Sequence, residues 1–358
     1  MGYRLIPYGD LRAYCLRLFC ALGFSREESG LIADVLLQAD LNGIESHGVQ
    51  RLVRYHKEIT SGLVNVRARP ETVFETPLSA VVDAKDMMGQ LAAHHAMSLA
   101  IAKAQTSGIG MVAVRNSNHY GIAGYYAEMA LRHDLMGVCM TNTEAIMVPT
   151  FARCAMLGSN PIALSMPADP VPFLFDAATT VVPRGKLEVY NKQGKQTPSG
   201  WMLDENGRET SQTGPVLHNI TEKLGGGILP LGGFGEETSG HKGYGFGLIC
   251  ELFTAILSGG NTSDEIYQKP GGSGIAQCFW AVDYGLFGDK KEIRKNFSSY
   301  LQKLREAPKA TGQQRIYTHG EKEWESRKEK LAKGIPVQEK TLGEMASIAD
   351  ELHIQGMA

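Results

Sequence analysis

Apolar residues recur at helical spacing through roughly the first sixty residues of the chain. From Pro7 to about Gly62, positions such as Leu11 and Leu18 fall on one face of a helix. The stretch 25–28 (SREE) is typical of a helix start, because a capping serine precedes a glutamate by three residues. This pattern predicts a helical N-terminal region in which the segment from 28 to 59 continues as helix.

From about Glu71 onward, the pattern changes to short apolar runs separated by helical stretches. Strands are predicted at 79–83, 109–115, 136–141 and 172–176, and helices at 91–106 and 122–133. Strands that alternate with helices in this way predict a mixed α/β sheet.

The remaining segments are rich in glycine and small polar residues or strongly charged. Residues 191–240 are rich in Gly, Thr, Ser and Pro, which predicts loops leading into a helix over 244–257. The charged run 321–330 is typical of a solvent-exposed helix. Long loops beside a rigid sheet are a common place for binding sites.

Composition and charge exclude several classes of function. The net charge of -2 over 358 residues gives no electrostatic case for binding nucleic acid or an anionic membrane. We find neither a membrane-length apolar run nor a signal for secretion or acylation. The six cysteines are dispersed without a CxxC pair, which predicts reduced, buried thiols in a cytoplasmic protein.

The segment SHGVQR, residues 46–51, carries the first candidate chemistry. If it is helical, His47 and Arg51 lie one turn apart on the same side. Arginine offers a planar two-point fork for a carboxylate, and histidine titrates near neutrality. The pair therefore suits a small carboxylic acid whose neighbouring carbonyl or hydroxyl exchanges a proton, although a solvated helix face would show the same spacing.

Nucleotide-binding motifs of the usual kind are missing from the sequence. The nearest approach to GxGxxG begins at Gly108 and runs into a strand instead of following one, so we interpret it as a turn. No phosphate loop is complete. The segment GHKGYGFG, residues 240–247, nevertheless places a lysine at a predicted helix N-terminus, which favours an anion such as pyrophosphate, or else forms a glycine-rich turn for close packing.

Three polar segments follow predicted strands, where α/β proteins tend to bind ligands. They are NSNHYG (116–121, with His119), TNT (141–143) and DAATT (176–180). Structural hydrogen bonds and turn caps are the alternatives for each of them. No zinc-binding pattern and no GxSxG nucleophile motif is present, so we expect no metal site and no serine hydrolase.

Five motifs in order, SHGVQR, NSNHYG, GSNPIA (158–163), FDAATT (175–180) and GHKGYGFG, make the chain resemble one family over nearly its whole length. It is similar to the malate/L-lactate dehydrogenase family that lacks a Rossmann fold and also includes sulfolactate, ureidoglycolate and diketogulonate dehydrogenases and a cyclic imine reductase. The resemblance implies a non-Rossmann mixed-sheet NAD(P)-binding domain over 76–309, a helical domain of residues 1–75 with 310–358, and a homodimer.

The resemblance also implies roles for individual residues. His47, supported by Ser46, matches the family's proton donor, and Arg51 matches the residue that holds the substrate carboxylate. His119 matches a histidine that serves as the acid or base in some members, so both histidines stay open. The positions that match cofactor contacts are Thr143, Asp176, Ala177, Ala178, Thr179, Thr180, His241, Lys242, His319, Gly320 and Glu321. Two positions depart from the family pattern, Ser159 in place of threonine and His319 in place of proline.

The expected activity is NAD(P)-dependent interconversion of a 2-hydroxy acid and a 2-oxo acid, with malate and oxaloacetate first, and with NAD ahead of NADP. A dicarboxylate would need a second cation near Arg51, for which Arg54, Lys186 and Arg184 are candidates. The alternatives are reduction of another 2-oxo acid or a cyclic imine, a nucleotide-binding regulatory protein without turnover, and a cofactor-free lyase.

Overall fold

A computed structural model describes residues 2–268 and 271–357, which contain eleven α-helices and twelve strands. The helices are α1 (Tyr8–Ala21), α2 (Arg26–Leu41), α3 (Leu52–Thr60), α4 (Gly89–Ser107), α5 (Ala123–Leu131), α6 (Arg184–Lys192), α7 (Thr213–Glu222), α8 (Gly240–Glu251), α9 (Lys290–Glu306), α10 (Glu321–Lys333) and α11 (Glu339–Glu351). The strands are β1 (Tyr3–Ile6), β2 (Glu71–Glu75), β3 (Ser79–Asp83), β4 (Ile109–Ser117), β5 (Met136–Thr141), β6 (Ile162–Met166), β7 (Phe173–Ala177), β8 (Met202–Leu203), β9 (Glu209–Thr210), β10 (Gly227–Ile228), β11 (Ile275–Val282) and β12 (Ile335–Gln338).

The central sheet has seven strands in the order β2-β3-β4-β11-β5-β6-β7. Only β3 and β4 pair in parallel, and every other neighbouring pair is antiparallel. Apolar side chains of β4 and β11, including Val112 and Phe279, are buried in the same core cluster as residues of α4 and α5. This mixed sheet differs from the parallel sheet of a Rossmann domain and confirms the predicted fold class.

Strand direction brings the loops of interest to one edge of the sheet. Strands β4 and β5 both run antiparallel to β11, and β7 is related to β5 through two antiparallel pairings, so all three point the same way. Their C-terminal ends therefore meet at one edge. The segments that follow these ends contain His119, Thr143 and residues 178–180.

The N-terminal region is helical, as predicted, but the single helix over 28–59 is wrong. Ser25 and Glu28 form the predicted capping box, with Glu28 N–H donating to Ser25 Oγ at 3.2 Å. Helix α2 then ends at Leu41, because Gly43 takes φ +84°, which a helix interior does not tolerate. Two short 3-10 turns, Glu45–His47 and Val49–Arg51, follow before α3 begins.

Four strand predictions and the helices over 91–106 and 122–133 are confirmed within a few residues. The prediction of loops through 191–240 is wrong, because α7 and a small sheet of order β10-β8-β9 lie there. Helix α7 buries Val216 and Ile220 at a spacing of four, a signal hidden by the surrounding Gly, Thr and Pro. The helix predicted from Tyr244 begins four residues earlier and passes into a π-helical turn, Leu252–Ile256.

The C-terminal charged run forms α10, as predicted, but it is not wholly a solvated face. Arg327 makes a two-pronged ion pair with Glu128, at 2.8 and 2.9 Å, which ties α10 to α5. Strands β1 and β12 pair antiparallel, so the N-terminal segment lies against residues 335–338, between α10 and α11. The division into domains at 75 and 310 stays a prediction.

All six cysteines are free, as expected. Four of them are buried, but Cys20 and Cys154 are exposed, so the prediction of buried thiols is wrong for those two. Among the residues that the structure describes, no helix has the length and apolar character that a bilayer crossing requires.

Candidate active site

A cleft of about 270 Å³ opens at the sheet edge where β4 and β5 end. The N-terminal 3-10 turns contribute Ser46, His47 and Arg51, and the loops after β4 and β5 contribute His119 and Thr143. The start of α6 forms part of the same wall. The structure therefore brings together residues that are 97 positions apart in the sequence, from Ser46 to Thr143.

Two imidazole rings stack in this cleft. The rings of His47 and His119 have centroids 5.6 Å apart with an interplanar angle of 23°. Each ring uses Nδ1 within the protein, His47 with Ser46 Oγ at 2.9 Å and His119 with Tyr55 Oη at 2.7 Å. On both rings Nε2 is the nitrogen left for a ligand.

Both imidazoles are uncharged at neutral pH. Burial, reinforced by the nearby Arg51 and Arg54 guanidinium groups, lowers the pKa of His47 from 6.5 to about 3. Burial also lowers the pKa of His119 well below its usual value, with further contributions from Arg54, His47 and Arg51. A neutral imidazole at this site can donate one hydrogen bond or accept a proton, depending on its tautomer.

Arg51 forms no close ion pair with a described residue, although the carboxylates of Glu188 and Glu58 act on its charge from beyond 4 Å. Its Nε donates to the Ser46 carbonyl at 2.5 Å, and no protein acceptor in ranges 2–268 and 271–357 lies within hydrogen-bond distance of its two terminal amino groups. Burial lowers the pKa of Arg51 from its usual value. Holding such a group away from water is costly unless an anion joins it.

The other cations proposed from the sequence are compensated. Arg54 lines the cleft, but its Nε donates to Glu58 and its terminal nitrogen to Tyr267, both at 2.7 Å. Arg184 also lines the cleft and pairs with Glu188 at 3.2 Å. Lys186 does not line it.

A second cleft, of about 260 Å³, contains other residues that the resemblance assigns to the cofactor. Asp176, His319 and Gly320 line it together with Gly124, whose N–H donates to Asp176 Oδ2 at 2.7 Å. Burial raises the pKa of Asp176 to about 6. Gly121, three residues before Gly124, lines the first cleft, so the two clefts lie at either end of one short segment.

Four further predicted cofactor residues, 177–180, lie at the end of β7 and just after it and line neither cleft. Ala177 ends β7, and Ala178 follows it half-buried. Thr179 is buried and donates to the Ser159 carbonyl at 3.0 Å. The buried Thr180 hydroxyl has no hydrogen-bond partner among the described residues.

Three further residues line neither of these clefts. His241 and Lys242 are exposed in the first turn of α8, which confirms the predicted helix N-terminus there. Glu321 is buried and forms an ion pair with Arg305 at 2.6 Å. These positions do not come together with Thr143 in the described chain.

Sequence reasoning missed two supporting groups. Tyr55 follows Arg51 by four residues, a spacing that could have marked it as a neighbour of the site. Glu251, at the end of α8, is 5% exposed and accepts a hydrogen bond from Asn160 Nδ2 at 2.8 Å. Asn160 Oδ1 in turn accepts from the Thr143 N–H at 3.2 Å, so α8 supports the loop that lines the first cleft.

Comparisons with known proteins agree with this architecture. Residues 6–346 match the family model of the malate/L-lactate dehydrogenases. A malate dehydrogenase of Pyrococcus abyssi is 41% identical over 357 residues, covering 99% of this chain and 97% of that protein. A malate/(S)-sulfolactate dehydrogenase of Methanothermus fervidus is 32% identical over 354 residues, covering 98% and 99%. The crystal structure of malate dehydrogenase from Entamoeba histolytica is similar at a TM-score of 0.95 with 31% identity, covering 99% of both chains. The chain belongs to the malate/L-lactate dehydrogenase family, a family of oxidoreductases.

Proposed function

We propose that the protein interconverts a 2-hydroxy acid and a 2-oxo acid with a nicotinamide nucleotide, and that its substrate pair is malate and oxaloacetate. The observation that carries the proposal is Arg51, a cleft cation whose terminal amino groups have no acceptor among the described residues, beside two neutral imidazoles. A carboxylate matches the planar fork of a guanidinium through two parallel hydrogen bonds. The carbonyl next to that carboxylate then falls within reach of the histidines.

In this proposal His47 or His119 exchanges the proton, and Ser46 and Tyr55 fix the two rings. Bound to Nδ1, these hydroxyls hold the imidazoles in place and leave Nε2 to contact the substrate oxygen. A bound carboxylate neutralises the Arg51 charge that helps to lower the pKa of His47. Binding of the acid therefore raises the pKa of the imidazole that must carry the proton.

The residues present fit a dinucleotide. When bound, the nicotinamide supplies or accepts the hydride, and the protein supplies orientation and the proton. The segment 121–124 joins the two clefts, and the carboxylate of Asp176 has one oxygen that no described residue satisfies, available to a ribose hydroxyl. The Thr180 hydroxyl is a further buried polar group without a partner among the described residues.

We assign the cofactor contacts accordingly. Thr143 lies on the nicotinamide side, and the residues on the ribose and phosphate side are Asp176, Ala177, Ala178, Thr179, Thr180, His241, Lys242, His319, Gly320 and Glu321. Lys242, exposed at the N-terminal and positive end of the α8 dipole, suits a phosphate. We propose NAD as the cofactor, with NADP as the alternative.

Malate is favoured because the relatives from Pyrococcus abyssi and Entamoeba histolytica both carry the name malate dehydrogenase. A second carboxylate has a partner in Arg184, which lines the cleft and, among the described residues, is held by exposed contacts with Glu188 and Thr221. Exposed ion pairs of this kind are worth about 0.2–1 kcal/mol, so Arg184 can exchange Glu188 for a substrate carboxylate at little cost.

The proposal is tested by following NADH absorbance with oxaloacetate, pyruvate, a sulfonated 2-oxo acid, a ureidoglycolate precursor and a cyclic imine. We expect the highest kcat/KM with oxaloacetate. A higher kcat/KM with another acid would show that oxaloacetate is not the preferred substrate, while the proposed reaction class would still hold. Tight NADH binding without oxidation of NADH by any member of the panel would instead indicate a nucleotide-binding regulatory protein.

We also propose a cytoplasmic homodimer, consistent with the free cysteines. Helix α8 and the turn after it expose Phe246, Leu248, Leu252 and Ile256, at 49, 51, 47 and 57%. A second copy is the occupant that would bury such a contiguous apolar face. Light scattering should give the dimer mass for the natural chain and the monomer mass for Leu252→Glu, and a monomeric natural chain would refute the assignment.

A further inference from the structure

We infer that Asp40 is a positioning residue that clamps the turn between His47 and Arg51, and thereby sets the geometry of the active site. The inference rests on the proposed roles of those two residues. Asp40 lies on α2, outside the first cleft, and contacts neither a proposed ligand nor the reacting atoms. It acts through the backbone of the segment that carries both side chains.

The clamp consists of one hydrogen bond and one close contact. Asp40 Oδ2 accepts the backbone N–H of Val49 at 2.8 Å. Gly48 packs directly on the carboxylate, because a Cβ added at Gly48 would lie 1.8 Å from Asp40 Oδ1. The φ of Gly48, -86°, is outside the left-handed region that favours glycine, and the close approach of the carboxylate leaves no room for a side chain.

This contact lies where the helical hydrogen bonding of the segment is interrupted. Two 3-10 turns of three residues each, one ending at His47 and one at Arg51, meet at Gly48 and share no continuous helical hydrogen bonding. The Val49 N–H would have no partner in this break without the carboxylate. Asp40 therefore fixes the relative orientation of the proton-transferring side and the carboxylate-binding side.

The carboxylate is poorly placed for stability, which argues that it is retained for this contact. Asp40 is 3% exposed and is the second-last residue of α2, where the helix dipole disfavours negative charge. Burial is the main cause that raises its pKa from 3.8 to about 7. The groups that face it are Lys330 of α10, Glu45 of the first turn and the Cys15 thiol of α1.

Ionisation should tighten the clamp, since a carboxylate is a stronger acceptor for an N–H than a carboxylic acid or an amide. Lys330, which donates to the Asp40 carbonyl at 2.7 Å, favours the ionised form, and Glu45 opposes it. The stability effect has the opposite sign. The folded state holds the proton up to about pH 7 and the unfolded chain only to about 3.8, so stability falls as pH rises between those values.

The first experiment compares Asp40→Asn with the natural chain and with Asp34→Asn. Asp34 is a matched control, because it lies on the same helix and pairs with Arg12 without touching the turn. We expect D40N to have a higher Tm at pH 8, a lower kcat, and to lose the rise of kcat between about pH 6 and 8. A D40N enzyme that keeps the natural kcat and pH profile would overturn the inference.

Hydrogen exchange tests the clamp without any assay of activity. The Val49 amide should be protected in the natural chain and in D34N, and should exchange about tenfold faster in D40N. Because this readout needs no substrate, it separates failure of the clamp from failure of the proposed reaction. Equal exchange in all three proteins would refute the contact.

A double-mutant cycle tests the close approach. Gly48→Ala alone should lower kcat/KM by about tenfold or more, since its Cβ collides with the carboxylate. In the Asp40→Ala background the carboxylate is absent, and Gly48→Ala should lower kcat/KM by less than about threefold. Additive effects would show that Gly48 and Asp40 act independently. Gly9→Ala, where nothing lies within 4 Å, is the control for an added methyl group.

Discussion

Replacing Arg51 by methionine separates substrate binding from folding. The natural side chain donates Nε to the Ser46 carbonyl at 2.5 Å, and its two terminal amino groups have no acceptor among the described residues. If a substrate carboxylate occupies that fork, the variant loses two charge-assisted hydrogen bonds, together about 3–5 kcal/mol. At a tenfold change for each 1.4 kcal/mol, KM should rise between about 100-fold and 4,000-fold.

The thermal stability of the Arg51→Met variant should change little, in contrast to the large rise in KM. Arg51→Met removes a half-buried cation that forms no close ion pair with a described residue, which favours the folded state, and one hydrogen bond, which opposes it. We expect Tm to change by no more than about 3 °C.

The assay is steady-state oxidation of NADH over a range of oxaloacetate concentrations, with Tm by calorimetry and the nucleotide Kd by fluorescence. Arg12→Met is the control, because Arg12 pairs with Asp34 at 2.7 Å on the surface and should leave KM unchanged. A KM for Arg51→Met within threefold of the natural value would refute the carboxylate clamp. A large loss of Tm would show that Arg51 is mainly structural.

Three further outcomes follow from the site. Because folding lowers the pKa of His47 from 6.5 to about 3, the unfolded chain binds a proton that the folded chain does not, and stability is lost as pH falls through that window. His47→Gln should recover about 2 kcal/mol of unfolding free energy at pH 5, measured by urea denaturation, and an unchanged acid sensitivity would argue against a buried neutral imidazole. Tyr55→Phe removes the hydrogen bond to His119 and should lower kcat about tenfold with little change in KM, and equal kinetics would separate Tyr55 from the chemistry. Lys242→Met should weaken NADH binding several-fold at low salt and less at high salt, and an unaltered Kd would remove Lys242 from the nucleotide site.

Much of the fold was predictable because its signals are local. The strand over 136–141 is a mostly apolar run followed by a polar segment. The structure contains this strand with the same bounds. The error over 28–59 has a local cause too, since helical spacing continues through Gly43 and Gly48 while the backbone does not. Periodicity records which faces are buried and not whether the hydrogen bonds between turns are continuous.

The candidate site divides in the same way. His47 and Arg51 could be paired from sequence because they are four positions apart, even though the helix assumed for the pairing is absent. The ion pairs Arg54–Glu58 and Arg184–Glu188 have the same local spacing, but the contacts between distant segments could not be predicted. Arg54 donates to the hydroxyl of Tyr267, 213 positions later in the chain, and Glu251 is linked to Thr143 through Asn160. Such contacts depend on strand order, which no local pattern encodes.

Charge balance gives the proposed site a means of coupling substrate binding to proton supply. In the first cleft Arg54 pairs with Glu58 and Arg184 with Glu188, whereas Arg51 forms no close ion pair with a described residue. The charge of Arg51 contributes to the low pKa of His47. An acid that binds Arg51 cancels this contribution and raises the pKa of His47. An uncharged analogue of the same shape leaves that pKa unchanged. A 2-oxo amide should therefore lose kcat as well as affinity, because the substrate's own carboxylate prepares the group that protonates it.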